Sequence, residues 1–327
     1  MNVTKAKQLS VIIPHYNAPT DLRRLLQSIP SSAEVIVVDD KSNQGLDVYE
    51  QLKCEFPQFS FYHNETTKKG AGVCRNLGIE KATGKWVIFA DADDYFTVDF
   101  ETCVSRYFET EEDLVYFTPT SIDSITKELS HRHLPYEKLI KLYLHQSTAE
   151  NELFLRYGFP APWSKMIRRH LIIQNQIRFD EVRVSEDYIF STKIGYYAKS
   201  ILAIDQIIYT CIERQGSLSK KMDADLYLTH VNVFIGVHNF LRSHLSTIET
   251  KTLDMAGIGF LFYGMKHRIK YTMLWRAFRL MKKNKIPLLK RKYKNPLALW
   301  EVIKFNLSVY KEEKGYYVKS QNEKSDD

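Results

Sequence analysis

Within the first hundred residues, four short apolar runs alternate with stretches of helical periodicity, and each run stops at a polar cluster. The runs occupy residues 9–13, 35–38, 59–62 and 86–90. Each is short, rich in β-branched or aromatic residues and closed by turn formers, which is the signature of a buried strand. They end in Pro14-His15-Tyr16-Asn17, Asp39-Asp40, His63-Asn64 and Asp91-Ala92-Asp93-Asp94. Between them, Leu22, Leu25, Leu26 and Ile29 recur at helical spacing, as do the apolar residues of 46–56 and 71–82. Strand–helix alternation predicts an α/β fold with a mostly parallel sheet flanked by helices. Ligands of such sheets bind beyond the carboxyl ends of the strands. The four polar clusters are therefore predicted to converge on one crevice.

Two acidic clusters carry chemistry. Asp91 and Asp93 lie two apart, so in extended geometry their side chains share a side. Carboxylates held that close repel unless a cation sits near them, and a hard cation such as Mg²⁺ takes a few carboxylates together with phosphate oxygens. A solvated acidic turn at a strand end is the alternative. The second cluster, Ser185-Glu186-Asp187, reads as a helix start, with Ser185 as N-cap and the acids complementing the helix dipole. A carboxylate there can also serve as a general base if an acceptor hydroxyl comes within hydrogen-bond reach.

The segments Val11-Ile12-Ile13-Pro14-His15-Tyr16-Asn17, Ile36-Val37-Val38-Asp39-Asp40, Gly70-Ala71-Gly72-Val73-Cys74-Arg75-Asn76 and Phe89-Ala90-Asp91-Ala92-Asp93-Asp94 resemble, in order, the motifs of glycosyltransferase family 2. The resemblance covers about the first two-thirds of the chain. It implies a GT-A, Rossmann-like fold and inverting transfer from a nucleotide-diphosphate sugar, with a UDP-linked donor and Mg²⁺ or Mn²⁺ expected. It also implies roles. Pro14, Tyr16 and Asn17 would lie along the nucleoside, with a Tyr face free to stack on the base. Asp40 would accept from the base N–H, and Asn64 would reach the base, although the loop after Asn64 is longer than the family pattern. Arg75 would face the nucleotide, or else be a solvated surface residue. Asp91 and Ala92 would meet the ribose, Asp93 the metal, and Asp94 would orient its neighbours. Asp187 would be the base and Glu186 a contact to acceptor or donor sugar. Trp163, in a run resembling the family's Trp-x-Lys segment, would stack on sugar or sit in the core. Arg214, opening Arg214-Gln215-Gly216-Ser217-Leu218-Ser219, would pair with the diphosphate.

Charge divides the chain. Its 327 residues carry a net +7, yet residues 260–311 hold fourteen Lys and Arg against one acid, Glu301, so the remainder is mildly acidic. Aromatic and aliphatic residues interleave with these bases, which predicts amphipathic helices broken near Pro287 and Pro296. Such helices can dock on an anionic membrane or pack their apolar faces on the catalytic domain. No nucleic-acid-binding module is visible, so no nucleic-acid partner is expected. The expected organisation is a catalytic domain over 1–220, in which residues 1–120 bind the nucleotide sugar and residues 121–220 serve the acceptor. A helical basic region over 221–315 and a polar tail over 316–327 follow. Residues 1–10 lack an apolar signal core, and Cys54, Cys74, Cys103 and Cys211 are scattered without metal-ligand spacing. A cytoplasmic protein, peripheral on the inner face of a bacterial plasma membrane, is expected. Its acceptor would be a glycan or a lipid-linked glycan of capsule, exopolysaccharide or lipopolysaccharide. A non-catalytic sugar-nucleotide-binding module, or a nucleotidyltransferase-like enzyme, is the alternative.

Overall fold

The computed structural model describes residues 7–214 and 222–291. The first half alternates as the periodicity requires: β1 (Leu9–His15), α1 (Pro19–Gln27), β2 (Glu34–Asp39), α2 (Leu46–Glu55), β3 (Ser60–His63), α3 (Ala71–Lys81) and β4 (Trp86–Phe89). Strands β3, β2, β1 and β4 pair in parallel in that spatial order. Strand β1 runs two residues beyond the apolar stretch, through Pro14. Pairing with β4 has already stopped at Ile12, so a residue without an N–H costs the sheet little there.

The chain continues through β5 (Tyr95–Phe96), α4 (Phe100–Ser105), β6 (Leu114–Asp123), α5 (Leu134–His145), α6 (Ala149–Gly158), β7 (Lys165–Arg168), α7 (Arg169–Gln174), α8 (Glu186–Tyr197) and β8 (Ile201–Glu213). Strands β7, β6, β8 and β5 extend the sheet beyond β4, giving the order β3-β2-β1-β4-β7-β6-β8-β5. Only β6 and β8 are parallel in this half, and β7 runs antiparallel to both β4 and β6. The core is one cluster running through both halves, from Val11, Ile36 and Ile88 to Val115, Phe190 and Cys211. Burying a fully enclosed aliphatic or aromatic side chain stabilises by about 1.5–3 kcal/mol.

Helix α9 (Ala224–His244) follows, capped by the Asp223 carboxylate, which accepts from Leu226 N–H at 2.8 Å. It packs on α8, with the Tyr196 ring 5.5 Å from Phe240 and 5.0 Å from His244. The first compact unit runs Met1–Glu249 and takes in α9, which packs on α8. The contacts of α9 thus lie on the N-terminal side of the compact-unit boundary.

The second unit, Thr250–Asp327, contains α11 (Ile258–Lys266) and α12 (Tyr271–Lys283), preceded by α10 (Thr247–Leu253), which spans the boundary. Residues 292–311 of the basic stretch, with Pro296, and the tail 316–327 lie outside the described residues. No helix among the described residues is long and apolar enough to cross a membrane.

Candidate active site

The carboxyl ends of β1, β2 and β4 supply a fixed polar floor. His15 donates from Nδ1 to Asp39 Oδ1 at 2.8 Å, and its Nε2 accepts from Ala18 N–H at 3.2 Å, which specifies the neutral tautomer. Burial opposes the Asp39 charge, but His15 and the hydroxyl and N–H of Ser42 outweigh it and hold the pKa down to about 2. Asn17, in left-handed backbone at φ 50°, accepts from the Asn43 and Gln44 N–H groups and so clamps the loop after β2. Tyr16 stands 51% exposed above this floor with Lys69 Nζ 5.3 Å from its ring centre.

Asp40 is buried and accepts from Asn64 Nδ2 and from Gly70 N–H, both at 2.7 Å. Each carboxylate oxygen keeps a second lone pair. Asn64 differs from its expected placement. Its amide nitrogen is spent on Asp40 and Lys68 O, and its oxygen accepts from Thr66, so it braces the loop from beneath rather than facing an open crevice.

The acidic cluster after β4 is a turn, not an extended end. Asp94 N–H donates to Asp91 O at 3.0 Å, with Ala92 and Asp93 at the tip. The extended geometry expected for this stretch is replaced by a turn, across which the Asp91 charge still reaches Asp93. Asp91 Oδ1 pairs with Arg75 at 2.6 Å, whereas Asp93 Oδ2 lies 3.6 Å from Arg214 Nε. Burial and the Asp91 charge push the Asp93 pKa up, against Arg214. Asp94 is fully enclosed, accepting from Tyr209 O–H at 2.8 Å and Ile212 N–H at 2.7 Å. Burial and its two acidic neighbours push its pKa well up. Tyr209 in turn accepts from Asp91 N–H at 2.8 Å, which ties the turn to β8.

Arg75 is the hub. It projects from α3, is buried, and carries Asp91 on one nitrogen and Glu186 on another at 2.8 Å. The surface alternative for Arg75 is therefore excluded. Gly72, one turn earlier, lets α8 approach: a Cβ there would lie 3.1 Å from Glu186 Cβ and 2.3 Å from Asp180 O. Asp187 follows Glu186, and burial together with the Glu186 charge, opposed by Arg75, raises its pKa to about 7. Ser185 does not cap α8. Its φ of 59° turns the hydroxyl away from the helix amides and onto His230 Nδ1, 2.7 Å away.

Trp163 takes the packing option of its two expected roles. It is 2% exposed and stacks on Tyr209 at 5.7 Å, leaving no open face for a sugar. Two residues on, Lys165 is buried with Nζ on Phe159 O and, at 3.2 Å, on Ser191 Oγ. Burial pushes its pKa down to about 7. Arg214 reaches Asp21 Oδ2 at 2.7 Å, and residues 215–219 of its segment lie outside the described residues.

Sequence reading assigns no role to His15, Lys165, His230 or Arg132, although His15 stands in the first strand-end motif and Lys165 in the Trp-x-Lys segment. Arg132, before α5, feels the charges of Asp94, Asp91 and Asp93, which raise its pKa although burial lowers it. No spacing relates it to that cluster.

A parallel half-sheet whose strand ends gather carboxylates, continued by a mixed half-sheet that brings in an acid-start helix, defines the GT-A class. Residues 10–174 match Glycosyl transferase family 2, about half the chain, and the chain belongs to that family. Among curated relatives it is 28% identical over 234 residues to the uncharacterized glycosyltransferase YibD of Escherichia coli K12, covering 67% of this chain and 65% of YibD. It is 25% identical to the glycosyltransferase GlyA of Streptococcus pneumoniae, covering 65% of this chain but 32% of GlyA. The chain thus spans less than two-thirds of the length of either. Among solved structures, Staphylococcus aureus TarS 1-349 in complex with UDP-GlcNAc superposes with TM-score 0.59 at 22% identity, covering 76% of this chain and 70% of TarS 1-349. The mannosyltransferase PcManGT of Pyrobaculum calidifontis, in complex with GDP-Man and Mn²⁺, gives TM-score 0.56 at 16% identity, covering 96% of this chain and 84% of PcManGT. At those identities the likeness is one of fold.

Proposed function

We propose that this chain is an inverting glycosyltransferase. It moves a sugar from a UDP-linked donor to a glycan or lipid-linked acceptor of a bacterial surface polysaccharide. The observation that carries the reading is the Arg75 bridge. One buried guanidinium holds Asp91 at the end of β4 and Glu186 beside Asp187, which supports the acidic turn and the acid-start helix serving one site. Tyr16 stacks on the base, Asp40 accepts its imide N–H, and Pro14 and Asn17 shape that wall. Asp91 and the Ala92 backbone meet the ribose. Arg214 meets the diphosphate as it leaves. Asp187 takes the acceptor's hydroxyl proton while that oxygen attacks the anomeric carbon opposite the departing diphosphate. The new C–O bond forms as the old one breaks, and the bonding pair leaves on the diphosphate. Glu186 contacts acceptor or donor sugar.

A divalent cation fits at Asp93. Among the described residues no three His, Cys, Asp or Glu side chains gather to hold an ion, so an ion there would draw its remaining ligands from diphosphate oxygens and water. The Asp93 carboxylate is 37% exposed, and its raised pKa marks a site where added positive charge is favourable. Mg²⁺ or Mn²⁺ bound there would neutralise charge on the leaving diphosphate.

The basic region suits the anionic cytoplasmic face of a membrane, where the lipid-linked acceptor would be met. The helix α12 carries Arg276, Arg279, Lys282 and Lys283 beside exposed Tyr271 and Trp275, with no acid.

The test is a panel of UDP- and GDP-sugars with Mg²⁺ or Mn²⁺, scoring nucleoside diphosphate release. One donor is expected to be hydrolysed slowly, with kcat rising as pH climbs through about 7, where Asp187 ionises. Asp93→Ala abolishes turnover and weakens donor binding. Asp187→Asn keeps donor binding and lowers kcat by about 10²-fold or more. Release of pyrophosphate, or metal-dependent turnover retained in Asp93→Ala, overturns the reading. A larger kcat loss in Glu186→Gln than in Asp187→Asn reverses the two roles.

A further inference from the structure

Ser185 stands in left-handed backbone, φ 59° and ψ 25°. A residue with a Cβ stays there only where its surroundings hold it. The first turn of α8 closes on this residue, whose carbonyl accepts from Tyr188 N–H at 3.2 Å. The direction of the next two side chains, Glu186 and Asp187, is therefore set by the Ser185 backbone.

The two are not held alike. Glu186 is fixed from outside the turn by Arg75 at 2.8 Å and by the close approach of Gly72. Asp187 is half-buried, yet among the described residues no other side chain hydrogen-bonds its carboxylate. Its aim is inherited from the turn. Beside the Asp180 N–H bond to Glu186 O at 3.2 Å, a side-chain hold on that turn comes from α9, where His230 Nδ1 shares a 2.7 Å hydrogen bond with Ser185 Oγ. Helix α9 is a firm support. Asp223 caps it, and Tyr227 and Val231, on either side of His230, are completely buried.

We propose that His230 is a positioning residue for glycosyl transfer: its hydrogen bond to Ser185 holds the left-handed turn that aims Asp187 at the acceptor hydroxyl. The inference rests on Asp187 being the base. It assigns His230 no contact with substrate and no proton in the reaction.

The test uses the full chain and slow hydrolysis of whichever UDP- or GDP-sugar the wild-type protein hydrolyses. His230→Ala is expected to lower kcat about tenfold with donor KM unchanged, the pattern of a lost transition-state alignment. His230→Asn, whose amide reaches the place of Nδ1, restores most of the loss. His230→Gln, whose amide reaches the place of Nε2, does not. Glycine adopts the left-handed turn unaided. In a Ser185→Gly background, His230→Ala should therefore cost less than about threefold, a coupling read from the double-mutant cycle.

The inference is overturned by a His230→Ala kcat within about twofold of wild type, or by the same fractional loss with glycine at 185. It is also overturned by a loss confined to melting temperature, with kcat per folded molecule intact. If His230→Ala does not fold, the Asn and Gln variants decide, and equal losses in both count against it. Asp187→Asn is measured alongside. Wild-type kcat in that variant removes the base assignment itself. An inactive Asp187→Asn beside a fully active His230→Ala removes only the role of His230.

Discussion

The chemistry of this crevice depends on which charges are satisfied by the fold and which are left for a ligand. Asp39 belongs to the first kind. Its pKa of about 2, against 3.8 for the free side chain, means that the folded state binds the proton less tightly than the unfolded state. The stabilisation is present above the unfolded value and is lost as pH falls from about 4 towards 2, a difference of about 2 kcal/mol. Asp39→Asn keeps the shape and removes this increment. Urea titrations should show the variant about 2 kcal/mol less stable at pH 7, with the gap closing near pH 2. An equal midpoint at pH 7 would mean that His15 and Ser42 support the loop without the charge. Among the described residues Asp91 and Glu186 pair with Arg75, and removing one partner of such a buried pair costs about 3–5 kcal/mol. Arg75→Ala is therefore a poor probe of catalysis. Asp93 and Asp187 are the two proposed for a ligand: burial raises the pKa of both, although Arg214, 3.6 Å from Asp93, works against the rise there.

At the scale of elements, α12 shows what periodicity can and cannot say. Its buried residues are Ala277 and Met281, and its outward face carries Tyr271 at 81% and Trp275 at 60% exposure among the bases. The apolar stripe expected to face inward is narrow, and the largest aromatics lie on the basic side. That distribution supports the proposed membrane docking, in which aromatic rings would enter the headgroup layer while cations meet anionic lipid. Each cation near such a surface contributes about 1 kcal/mol. Full-length protein is expected to sediment with phosphatidylserine-containing vesicles at low salt and to release as salt shortens the Debye length. Trp275→Ala combined with Arg276→Ala and Arg279→Ala should cut this binding at least tenfold, about 1.4 kcal/mol or more. No sedimentation at low salt would assign the charge to another anionic partner, such as a polyanionic glycan.

At the scale of the whole molecule, every residue proposed to bind donor or act as base lies within the compact unit Met1–Glu249. A chain ending at residue 249 is expected to fold with a cooperative melt and to hydrolyse donor at a rate close to that of the full chain, while losing vesicle binding. A chain ending at residue 220, the boundary expected from composition, lacks α9 and with it His230 and the aromatic contacts to Tyr196. It should be insoluble or should melt at a lower temperature. Equal stability of the two truncations would show that α9 does not belong to the catalytic unit.

The amino-acid sequence alone determined the parallel half-sheet, its helices, the family and the strand-end clusters. Those depend on periods of two and 3.6 residues and on motifs read within a few positions of one another. It placed β1 to β4 and α1 to α3 within a few residues, and it named Asp40, Asp91, Asp93, Glu186 and Asp187. Tertiary structure decided everything that joins residues distant in sequence. It decided that Arg75 ties Asp91 to Glu186, and that the acidic cluster is a turn rather than an extended end. It also decided that Trp163 is core and that Ser185 serves His230 instead of its own helix. The physical reason is that a side chain's partner is chosen by proximity in space. No local pattern encodes that a histidine forty-five residues downstream will stand 2.7 Å from a serine.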